Sequence, residues 1–138
     1  MKVSNLFLRL AVVWFVAGVV LGAIMGMSGN RTMVPVHVHV NLLGWVSMGL
    51  FAGFYRMWPE AATSRLASAH FWLYVPAHFV MMGALAAFYS GVAAAEPVLG
   101  ISSLVVIAGV LCFAVLAWKH TGAAEVEIPP VGQKSATG

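Results

Sequence analysis

The sequence predicts an all-α integral membrane protein, a four-helix bundle, and three observations predict it. The chain is 62% hydrophobic and only 8% charged, with no aspartate in 138 residues, a composition unlike that of a water-soluble globular domain. Four apolar stretches of about twenty residues recur along it, each long enough at ~1.5 Å per residue to cross ~30 Å of hydrocarbon. Positive residues gather on alternate polar links, the asymmetry expected of a chain that crosses a membrane repeatedly. Nucleic acid is not an expected partner, because seven Lys and Arg against four Glu are too few to track a phosphate backbone.

The first span is expected over about 6–27. Its positive start precedes an apolar run too long for a signal-peptide core, and the Met25-Gly-Met27 ending lacks a cleavage pattern, so it is read as a retained anchor. Arg9 can reach back to the near interface. Gly18, Gly22 and Gly26 recur every fourth residue and predict a face for close helix approach. Ser28–Val36 is a polar link containing Arg31 and Pro35.

The second span is expected over about 36–58, stopped by Pro59 and anchored at the interface by Tyr55, Arg56 and Trp58. After the linker Glu60–Ser68, the third span covers about 69–90 and contains His70, Pro76 and His78. The proline is expected to free a carbonyl and bend the helix. The fourth, about 98–118, has no strong polar feature and reads as packing. Its Cys112 is the only cysteine and reads as a small buried side chain. Residues 1–120 thus form the membrane domain. Over 121–138 the composition turns to Gly, Pro, Glu, Lys, Ser and Thr, which predicts a flexible tail. Lys2, Arg9, Arg56, Arg65, Lys119 and Lys134 fall on one side of this topology and Arg31 with Glu96 on the other, so both termini are expected in the cytoplasm.

The functional candidates are His37 and His39, which open a segment otherwise suited to hydrocarbon. An imidazole there costs free energy unless it finds a partner, and it is the commonest metal ligand. On a regular helix the two point about 200° apart, so they cannot share one small metal. Haem suits such a helix: it needs one or two axial ligands, walls lowered by small residues and a polar exit for its propionates. Gly44, Gly49 and Gly53 lower the wall, Asn41 and Trp45 stand on the same stretch, and Arg31 is placed to meet propionates.

His78 is a weaker candidate ligand. About 12 residues from the outer end of its span, it is expected ~18 Å down, well below His39, hydrogen-bonded to a carbonyl freed by Pro76 or to Ser47 or Tyr74. His70 is read as a solvated helix end, and His120 as facing water. The alternative cofactor is copper, since Met25, Met27 and Met33 cluster at the same end as the imidazole pair and together make a soft Cu(I) site. A third reading is a cofactor-free assembly partner of a respiratory complex.

His37-Val-His39-Val-Asn41-Leu-Leu-Gly44-Trp45 and the ending Tyr55-Arg-Met-Trp-Pro59 resemble the tenth transmembrane helix of the catalytic subunit of heme-copper oxidases, most closely the C-family enzymes with b-type haems. His70-Phe-Trp-Leu resembles the start of that subunit's next helix. The likeness covers spans two and three, spans one and four only by position, and the tail not at all. It implies a haem b protein in the bacterial inner membrane, with His37 and His39 corresponding to the ligands of the high-spin and low-spin haems. The family's copper ligands and cross-linked tyrosine lie on helices that this chain lacks, so oxygen or nitric oxide reduction by the usual mechanism is not expected. Four spans correspond to one of three similar arcs in the larger subunit, which implies a homo-oligomer. A trimeric ring is favoured over a dimer, because it lets the His37 face of one copy meet the His39 face of the next across a haem. Bis-histidine ligation favours electron transfer over redox or gas sensing.

Overall fold

The computed structural model describes residues 2–121; the tail expected over 121–138 lies, Thr121 apart, outside the described residues. Four long helices account for the chain: α1 (Val3–Ser28), α2 (Val34–Met57), α3 (Arg65–Tyr89) and α4 (Glu96–Thr121). Each is long and apolar enough to cross a membrane.

Local chemistry sets the ends. α1 stops at Gly29, whose φ of 67° is the left-handed conformation that glycine adopts without a Cβ penalty. The Asn30 side chain then accepts a hydrogen bond from the Thr32 amide at 2.9 Å, and Pro35 occupies the first turn of α2, where its missing N–H leaves no gap. Trp58 ends α2 and is followed by a single turn, Pro59–Ala62. Ser64 caps α3 by accepting from the Ala67 amide at 3.1 Å, so the helix begins at Arg65, before the expected 69. Pro76 lies inside α3 without ending it.

α1 runs along α2 and α3 along α4, and the two hairpins close on each other through an aromatic core. At the end carrying Lys2 and Arg56, Phe51 sits 4.4 Å from Phe113 and 5.5 Å from Phe7, ring centroid to centroid. α4 approaches α3 closely where Gly109 meets Tyr74; a Cβ there would lie 3.0 Å from the tyrosine Cβ. The outward faces are as apolar as the core. Leu8, Val16, Ile101, Leu104 and Leu111 are all more than half exposed, the signature of helices whose surroundings are hydrocarbon.

α2 departs from the expected regular helix. Val34–His39 and Met48–Met57 are α-helical, but Val40–Ser47 between them is π-helical. The burial pattern explains why: Val36, Val40, Gly44, Met48 and Ala52 are all buried, every fourth residue. On a regular helix each step of four overshoots a full turn by about 40°, so three steps would carry Met48 about 120° off the inner face. Wider i→i+5 winding removes that drift. The carbonyls it loosens are met by side chains, with the Ser47 hydroxyl donating to Leu42 O at 2.7 Å and the Tyr74 hydroxyl to Leu43 O at 2.9 Å. Such supplementary donors are what backbone away from water requires.

Candidate functional site

The first turns of α2 set the histidines apart. His39 Nδ1 lies 2.8 Å from the Pro35 carbonyl, which only accepts, so Nδ1 carries the ring hydrogen and Nε2 keeps its lone pair. This is how a second partner prepares an imidazole for a metal. The ring is half-buried and therefore reachable. His37 lies on the flank facing α1, its Cε1 packed where a Gly22 Cβ would stand 2.9 Å away. The Asn41 amide donates to the His37 carbonyl at 2.8 Å and lies 3.4 and 3.5 Å from the ring nitrogens. It is seated in turn against Gly18, where a Cβ would come within 2.6 Å of Asn41 Oδ1. One turn further, Trp45 meets Phe15 at 4.7 Å between ring centroids. The α1 glycines therefore receive polar side chains from α2, whereas Gly26 of the expected stripe meets nothing within 4 Å.

One wall feature differs from expectation. Gly44 does not leave room for a plate-like ligand, because Trp14 fills that room: a Cβ on Gly44 would lie 2.7 Å from the indole Cγ. Arg31 is exposed in the turn between α1 and α2, at the same end as the two histidines.

The larger correction concerns α3. His70, Tyr74 and His78, at i, i+4 and i+8, form one column, and all three are 0% exposed. His70 is not a solvated helix end. The early start at Ser64 places it more than a turn inside α3, where its Nδ1 and the Tyr55 hydroxyl are hydrogen-bonded at 2.8 Å and its ring stacks on Phe7 at 4.9 Å. That start was legible as a serine three residues before Ala67, the usual place of a capping side chain. His78 is not far below His39 either, since the His39 main chain is its polar neighbour. α3 extends beyond α2 at the histidine end, so counting inward from its terminus exaggerates depth. The His78 ring lies parallel to Tyr74 at 6.0 Å and edge-on to Trp14 at 4.7 Å. Neither of its nitrogens makes a hydrogen bond among the described residues; His70 Nε2 and Trp14 Nε1 are likewise unsatisfied. The expected bonds to Ser47, Tyr74 or a carbonyl freed by Pro76 do not form.

Among the described residues no three His, Cys, Asp or Glu side chains converge on one point, and Cys112 stands alone on α4, half-buried. A metal bound by such side chains of the described residues would thus find at most two of them, a number that suffices for axial ligation of a porphyrin. No known protein family, curated protein or solved structure matches the chain.

Proposed function

We propose that this chain is a b-type haem protein of the bacterial inner membrane, related to the catalytic subunit of heme-copper oxidases, that transfers electrons or registers redox state or a gas. The observation that carries the reading is the His39 bond to Pro35, which fixes the ring and leaves Nε2 free at a half-exposed position. Haem would supply one-electron chemistry. The protein's own part is to hold His39 in one tautomer, to set Arg31 at the same end for the propionates and to surround the pair with apolar helix. His37, on the opposite flank and itself half-buried, would complete ligation of a haem held by an adjoining copy. With both axial positions filled, electron transfer is favoured over gas chemistry. The end carrying Lys2, Arg56, Arg65 and Lys119 would face the cytoplasm.

The test is an optical spectrum of the reduced, purified protein. Wild type is expected to show a low-spin b-type spectrum that His39→Ala abolishes and His78→Ala leaves largely intact; the opposite pattern refutes the site. Colourless protein that retains copper favours instead the copper site at His37, His39 and the neighbouring methionines.

A further inference from the structure

The opposite end of the bundle holds a second candidate site. A cavity of about 780 Å³ opens between the start of α1, the last turn of α2 and the turn at Pro59, lined among others by Lys2, Ser4, Tyr55, Arg56 and Thr63. No lining residue is acidic. α1 begins at Lys2 without a side-chain cap, so the positive end of its dipole adds to the two cations. Tyr55 is committed to His70 and the Thr63 hydroxyl to the Glu60 carbonyl. Ser4, only 4% exposed, stands in the same wall.

We propose that this cavity binds the phosphate of an anionic phospholipid. An ammonium and a guanidinium are matched to phosphate oxygens, and basic pockets between spans at one membrane face are where such headgroups are held. The lipid origin follows from what continues along the same two helices: Leu8 and Val12 on α1 and Met57 at the end of α2 are 51%, 49% and 66% exposed, apolar surface for acyl chains. The site is independent of the haem reading.

Native mass spectrometry of the full-length detergent-solubilised chain, titrated with phosphatidylglycerol, phosphatidylcholine or inorganic phosphate, tests it. Phosphatidylglycerol is expected to bind about tenfold more tightly than phosphatidylcholine. Lys2→Gln combined with Arg56→Gln should erase that preference. Lys119→Gln, which removes a charge outside the cavity, should change nothing. If the double variant loses its helical circular dichroism, Arg56→Lys decides: a loss of about threefold supports a guanidinium contact, and no loss overturns it. Equal retention of both lipids, or an effect of Lys119→Gln equal to that of the pair, overturns the site. Displacement of phosphatidylglycerol by inorganic phosphate overturns the lipid assignment.

Discussion

Tyr55 and His70 show how much one polar contact carries in a core without water. Whichever group donates, Tyr55 satisfies His70 Nδ1, and His70 Nε2 stays unpaired. Tyr55→Phe would therefore leave a second ring nitrogen unsatisfied at a 0% exposed position, for a loss of about 1–3 kcal/mol. Adding His70→Leu should restore part of it, because replacing both partners by apolar groups is cheaper than orphaning one. Thermal unfolding in detergent checks both variants; a double variant less stable than Tyr55→Phe would mean that ring stacking on Phe7, and not the hydrogen bond, holds the site. The bond was not legible beforehand, because it joins residues on two helices and its depth turned on which residue starts α3. His37 and His39 were legible, since imidazoles in an apolar run stand out on composition alone.

At the scale of elements, the four spans could be read from apolar length, but the contacts between them were only half readable. Repeated glycines signal close approach without saying what approaches. Gly18 and Gly22 receive Asn41 and His37, Gly44 receives Trp14, and Gly26 receives nothing. Two variants separate these roles. Gly44→Ala sets a methyl 2.7 Å from Trp14 Cγ, an overpacking expected to cost about 1–3 kcal/mol. Gly26→Ala meets open space and should be neutral or slightly stabilising, given alanine's advantage of up to ~1 kcal/mol inside a helix. Melting temperatures of the two in one detergent check this, and equal shifts would show that the α1–α2 contact is looser than these distances imply. The π-helical stretch escaped the sequence reading for a related reason. A buried residue every fourth position fits either a drifting α-helix or a widened one, and the partners Ser47 and Tyr74 that make widening affordable become visible only when α3 is in place.

For the whole molecule, the unanswered demand is on the outside. α1 and α4 present continuous apolar surface, which lipid can cover and which therefore does not require a partner. On the proposed haem reading, a second copy is called for by His37 and His39, placed on different flanks of α2. A two-fold dimer would join like flanks and pair His39 with His39, whereas a ring repeats an unlike contact and closes when the rotation allows. Three copies would bring twelve spans together, the outline of the larger subunit that the sequence resembles. α1 of the same chain covers part of the His37 flank, so such a ring would have to reach His37 along the edge of α1 at the histidine end. Light scattering of the purified protein with detergent mass subtracted, combined with haem and protein assays, is expected to give three chains and one haem per chain. A trimer that keeps its mass but loses its haem in His39→Ala would assign assembly to the apolar faces and ligation to the imidazole, while a haem-free monomer would end the ring altogether.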